Sequence, residues 1–246
     1  MDSANLMKPD VIVSQPDSVD FPLWRETMSK NREFFGKILV SICRTYSSLQ
    51  MQRFFQEELA KIGAEVFLAQ LPANGQDWRD LSVNQCLKHI TSNRVLFLEQ
   101  DFLFNDERFL PTALGCASPI LGFKEVAART GRFHPAFLLV DADLVKKTSR
   151  DFGVVPDKYD HFWTFSKELE ELATPAYLQD LGLTQPEHWE HLAGLTSNYS
   201  LLLYGGKPNH NVKRFAEYNK KILECSSKQH VEFERIVRRA AAIEVA

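Results

Sequence analysis

The stretch "VLFLEQDFLF" (95–104) places two carboxylates, Glu99 and Asp101, one residue apart at the end of an apolar run. On an extended chain, residues i and i+2 point to the same side, so both carboxylates can converge on one cation. Hard oxygen ligands suit Mg2+ or Mn2+, and such ions commonly bridge to substrate phosphates. The other reading of the pair is the polar start of a solvated loop. Further polar candidates lie downstream. "FHPAFLLVDADLV" carries His134, Asp141 and Asp143, and "DKYDHFW" carries Asp160 and His161 among Tyr159, Phe162 and Trp163. Those aromatic faces can stack on a sugar or base, or fill a core. "HWEHLAGL" supplies His188 and His191. A neutral imidazole can complete a carboxylate site for Mn2+, and a lone histidine can equally be a surface or core residue.

The elements that must position these residues are legible in the apolar pattern. "KILVSI" (37–42) reads as a buried strand, "AEVFLA" (64–69) as a second and "NRVLFL" (93–98) as a third. Between the first two, Ser47 and Gln50 form a capping-box pattern ahead of Met51, Phe54, Phe55, Leu59 and Ile62 at helical spacing, with Gly63 as the stop. Between the second and third, Ser82 and Gln85 repeat the pattern ahead of Val83, Cys86, Leu87 and Ile90. Strand, helix, strand, helix, strand with near-continuous apolar strands predicts a mostly parallel sheet covered on both faces. Residues 133–145 form a later strand candidate. "SKELEELATPAYLQDLG" predicts a helix up to Thr174, where Pro175 interrupts it. Residues 1–36, with Pro9, Pro16 and Pro22, read as an extended N-terminal arm, 37–210 as the main α/β domain, and 211–246 as a helical extension packed on it.

Composition narrows the function. The 246 residues carry 44% hydrophobic side chains and a net charge of −3, which fits a packed α/β domain and weighs against a dedicated nucleic-acid binder. Cys43, Cys86, Cys116 and Cys225 are scattered without a CxxC pair, so a disulfide framework or zinc site is not expected and a reducing compartment fits best. No run approaches the ~18 apolar residues of a membrane span, and no signal-peptide core is visible at the N-terminus. The expected location is the cytoplasm.

The order of elements from residue 37 to 101, with "ILVSICRTYSS" and "LSVNQCLKHITSNRVLFLEQD", resembles the nucleotide-sugar-binding half of GT-A-fold glycosyltransferases. In that family a strand ends in an Asp-X-Asp type metal motif, present here as Glu-Gln-Asp. "HWEHLAGLTSNYSLL" is similar to the late segment that supplies a histidine near metal and diphosphate, and "FHPAFLLVDADLVKKTSRDFG" to the acceptor-side segment. The resemblance implies an α/β fold of GT-A type, a Rossmann-like mixed, mostly parallel central sheet flanked by helices, with C-terminal helices. It implies Mn2+ or Mg2+ held by Asp101, His191 and Glu99, with His188 the alternative to His191. It places Arg44, Thr45, Asn84, Glu99 and Gln100 on the donor side. Lys146, Lys147 and Arg150 form a basic cluster that can meet diphosphate or a charged acceptor, or be a solvated face. Asp160 is the candidate base, with Asp143 behind it. The implied reaction moves a sugar from a nucleotide-diphosphate donor to an acceptor hydroxyl of a glycan, lipid-linked sugar, small molecule or modified nucleic acid.

Three rival readings remain open at the level of sequence. A nucleotidyltransferase of the same fold usually shows a Gly-rich loop after its first strand, and "CRTYSSLQ" has no glycine. A sugar-nucleotide-binding module without turnover would explain Glu99 in place of Asp. A transferase acting on a modified DNA base would bind DNA in a salt-sensitive way.

Overall fold

The computed structural model describes residues 8–14, 21–43, 49–69, 78–99, 102–124, 133–153 and 161–191. In chain order the elements are β1 (Asp10–Ser14), α1 (Phe21–Lys30), β2 (Ile38–Cys43), α2 (Leu49–Ala60), β3 (Ala64–Ala69), α3 (Trp78–Leu87), β4 (Arg94–Leu98), β5 (Phe102–Phe104), α4 (Phe109–Leu114), β6 (Ile120–Gly122), β7 (Phe137–Asp141), α5 (Ala142–Lys147), α6 (Trp163–Leu172), β8 (Ala176–Tyr177) and β9 (Trp189–His191). Seven strands form one sheet in the order β3-β2-β1-β4-β7-β6-β8, and β5 pairs with β9 in a separate ribbon. The first four strands of the large sheet run parallel. β7 is antiparallel to β4, and β6 is antiparallel to β7.

The expected mixed, mostly parallel sheet with flanking helices is therefore present, with one correction at its centre. Residues 10–14 and 21–30, expected in an extended arm, form the central strand β1 and the helix α1. β1 lies between β2 and β4 and pairs with both. Its apolar run is only Val11-Ile12-Val13, close behind Pro9, too short for periodicity to distinguish a strand from a loop. Pro22 sits in the first turn of α1, where a missing N–H is tolerated, and Trp24 and Met28 of that helix are buried.

Alternate strand residues face two apolar layers, as the two-residue period of a strand requires. Val11, Val13, Val40, Leu96, Leu98 and Leu139 pack with residues of α1, α2 and α4. Ile12, Leu39, Val95, Phe97, Leu138 and Val140 pack with α3, α5 and α6. Gly63 follows α2 at φ +68°, the left-handed position expected of a helix stop. α3 begins at Trp78, so Ser82 lies inside the helix and not at its cap. The predicted strand over 133–145 is shorter, and Ala142–Lys147 turn into α5.

Arg94 anchors the amino end of β4. It is buried, and its guanidinium donates to the carbonyls of Leu114 (3.3 Å), Cys116 (3.1 Å) and Ser118 (2.8 Å). Its Nε lies 3.1 Å from a carboxylate oxygen of Asp141. Burial pulls the guanidinium below its ordinary pKa, with Asp141 acting in the opposite sense. The guanidinium reaches them from two separate nitrogens, a spread that a single ammonium nitrogen lacks. Arg94→Met is expected to destabilise the fold by about 3 kcal/mol, since it strands those carbonyls and the partner carboxylate. Equilibrium urea unfolding measures this, and Arg94→Lys should recover little of it.

Candidate metal centre

The parallel strands end on one side of the sheet, and the chain order reverses between β1 and β4. In open α/β sheets, ligands bind outside the carboxyl ends of the strands at such a switch point. Glu99 is the first residue after β4 and sits at this end. Because β7 is antiparallel to β4, Leu98 pairs with Phe137 while Arg94 pairs with Asp141. The residues entering β7 therefore arrive beside Glu99, and those leaving β7 lie at the far end. The Glu99 N–H donates to the Ala136 carbonyl at 3.2 Å, and the Phe102 N–H donates to the Glu99 carbonyl at 3.2 Å. Both bonds fix the Glu99 backbone without using its carboxylate.

The ribbon delivers the second component. Phe102 of β5 pairs with His191 of β9, so the strand that follows Glu99 carries the histidine back toward it. His191 Nε2 lies 3.8 Å from Glu99 Oε2, and His134 Nδ1 lies 3.7 Å from the same oxygen. Glu99, His134 and His191 each offer a ligand atom within 4.8 Å of the others. The His191 side chain is only 7% exposed, and that of Glu99 is 38% exposed, so the carboxylate is the member open to an incoming ligand. The two imidazoles are 4.7 Å apart between ring centroids and rest against Phe123. Phe123 in turn packs on Trp189, which stacks on Phe102. Trp189 Nε1–H donates to the Leu183 carbonyl at 3.1 Å, which fixes that wall.

The donor set of one carboxylate and two imidazoles fits a divalent ion such as Mn2+. Of the residues expected at the metal, Glu99 and His191 are brought together, and Asp101 lies outside the described residues. His134, expected on the acceptor side, joins them. His188 does not: its Nδ1 accepts the Thr184 N–H at 3.2 Å, and its Nε2 faces Arg108 and Asp106.

The other expected site residues divide in the same way. Arg44, Thr45, Gln100, Tyr159 and Asp160 lie outside the described residues, as do the expected C-terminal helices and Ser47. Asn84, expected to contact the donor, has its amide committed within the protein. It donates to the Asp80 carbonyl and carboxylate and to the Arg150 carbonyl. Asp143, the second candidate base, is on α5, just beyond the end of β7 that pairs with Arg94. It is exposed and bonded to Lys146 at 2.9 Å, so it does not approach Glu99. Lys146 is thereby tied to Asp143, and Lys147 is exposed on the same short helix. Phe162 is core, packed on Phe97, Phe152 and Phe165, while Lys167 lies over the Trp163 ring. Burial pushes the Cys86 thiol up to about 12, which excludes it as a nucleophile.

By sequence the chain matches no protein-family profile and no curated protein. By structure it is similar to the mannosyltransferase PcManGT from Pyrobaculum calidifontis, solved in complex with GDP-Man and Mn2+. The TM-score is 0.52 at 15% identity, over 98% of this chain and 74% of that one. TarS of S. aureus, solved over its residues 1–349, gives a TM-score of 0.49 at 14% identity, over 91% of this chain and 74% of that one. Among the described residues no helix is long and apolar enough to cross a membrane. The strand order, the antiparallel return beside β4 and the match to the mannosyltransferase show that this chain has the GT-A fold of glycosyltransferases.

Proposed function

We propose that this protein transfers a sugar from a nucleoside-diphosphate donor to an acceptor hydroxyl, with a divalent ion at the end of β4. The observation that carries this reading is the convergence of Glu99 and His191 at the switch point of the sheet. A similar fold that binds GDP-Man and Mn2+ supports it. Glu99 and His191 would hold the ion, with Asp101 two residues beyond Glu99 as a further oxygen ligand. When bound, the ion would supply positive charge that offsets the negative charge developing on the departing diphosphate. The protein's own contribution is to keep the Glu99 carboxylate partly exposed to solvent and to hold the two imidazoles against the Phe123–Trp189 wall. Asp160 is our choice for the carboxylate that takes the acceptor hydroxyl proton. Asp143 is unsuited, given its position and its bond to Lys146.

A thermal-shift panel of GDP, UDP, CDP, ADP and TDP, each with and without Mn2+, tests the donor site. At a hundredfold excess over Kd, binding stabilises a fold by about 2.7 kcal/mol. For a chain of this size that is a rise of roughly 5–10 °C. One nucleotide is expected to give it, and only with the metal. A panel in which none responds to Mn2+ removes the donor site. Transfer is then read as loss of the sugar from the stabilising donor in the presence of candidate acceptors.

A further inference from the structure

We propose that His134 is a further protein ligand of the ion, and that Glu99, His134 and His191 together take a transition-metal ion from solution without nucleotide and discriminate against Mg2+. This rests on the reading of the site as a cation site and not on the transfer reaction. Both nitrogen–oxygen separations, 3.7 Å and 3.8 Å, are too long for hydrogen bonds. Ligands of one ion, each held at about 2.1 Å, lie roughly 3–4 Å apart. The separations of both imidazoles from Glu99 are thus ones that a shared ion allows.

The state of the His134 ring points the same way. The Ala136 N–H donates to His134 Nδ1 at 3.1 Å, so in the neutral ring the proton sits on Nε2 and Nδ1 carries the lone pair. Nδ1 also lies 3.7 Å from Glu99 Oε2. Its single lone pair is engaged by the Ala136 N–H, and coordination through Nδ1 requires that bond to break but no proton to leave. The ring's position is set by the β7 register and by the Glu99 N–H bond to the Ala136 carbonyl, and its faces by Phe123 and His191.

Two imidazoles favour Zn2+ and Co2+, whereas Mg2+ prefers an oxygen shell and gives up water reluctantly. Among the first-row ions, Mn2+ binds such sites least tightly. Isothermal titration of the full chain, freed of metal by chelator and without nucleotide, should show one site in the order Zn2+ above Co2+ above Mn2+. Mg2+ is expected to bind at least a hundredfold more weakly than Zn2+. His134→Asn leaves a side-chain oxygen for the Ala136 N–H and removes the imidazole. It should weaken Zn2+ binding at least tenfold with the melting temperature of the metal-free chain unchanged. His134→Ala serves as the second variant and should weaken binding at least as much. Equal affinity for Mg2+ and Zn2+, or wild-type Zn2+ affinity in both variants, overturns the proposal. Because nucleotide is absent, the result is independent of whether a donor binds.

Discussion

Glu99→Gln is expected to lower metal-dependent transfer by about 10²–10³-fold, the range seen when one preorganised electrostatic group is removed, and to leave the fold intact. The amide keeps the length and shape of the side chain and removes its charge. Glu99 is held through its backbone, by the Ala136 carbonyl and the Phe102 N–H, so the substitution disturbs neither bond. Its side chain is 38% exposed, so the neutral amide stays in contact with solvent. The melting temperature without metal should therefore stay within about 1 °C, in line with surface substitutions generally. His191→Gln should show the same loss of Mn2+ dependence. His188→Gln should not, because that ring is bonded to Thr184 and turned toward Asp106 and Arg108. The measurement is the rate against Mn2+ concentration for the three variants. A Glu99→Gln protein with the wild-type Mn2+ midpoint would move the ion away from Glu99.

How far the site could be read from the sequence depended on strand direction. β2, β3, β4 and the helix α2 are visible because each is a near-continuous apolar run or a clear helical face. The helix α3 is visible too, although its start is misplaced: Ser82 mimics a cap, but the first turn lies four residues earlier and Asp80 binds the Phe152 N–H from within it. β7 is also visible as apolar, but nothing in "FLLVD" says which way it runs against β4. Read as another parallel strand, its carboxyl end would bring Asp141 and Asp143 to the site. Run antiparallel, it delivers His134 instead and sends Asp143 to the opposite end of the sheet. One reversal of direction thus exchanges a candidate base for a candidate ligand. The same limit applies to His188 and His191. They are three residues apart in one motif, and only the pairing of Phe102 with His191 decides which faces Glu99. Glu99 itself stood out by spacing, because two carboxylates after a buried strand are uncommon enough to ask for a partner.

The strand least legible in the sequence carries the largest expected stability effect. Asp10→Ala is predicted to destabilise the protein by about 3–5 kcal/mol, as when a buried, fully bonded charge is removed from its partners. Asp10 opens β1 and is 2% exposed. Its Oδ1 accepts the Lys37 N–H at 2.7 Å, and its Oδ2 accepts the N–H groups of Thr91 at 2.5 Å and Ser92 at 2.9 Å. One carboxylate thus ties the entry of β2 and the turn before β4 to the entry of β1. Gly36 makes room for it: a Cβ there would lie 2.4 Å from Oδ1. Asn cannot substitute, because its NH2 would face backbone donors on one side or the other. For a domain of this size the loss amounts to roughly 6–20 °C in melting temperature, and urea unfolding with an unchanged m-value would confirm that the native state is what weakened. The consequence reaches the site, since β1 and β4 share a register set at this end and β4 fixes Glu99 at the other. At temperatures where Asp10→Ala is still folded, its metal affinity should fall less than tenfold, whereas Glu99→Gln loses the metal with no change in melting temperature. An Asp10→Ala protein within 1 kcal/mol of wild type would show that the carboxylate does not hold these three strands together.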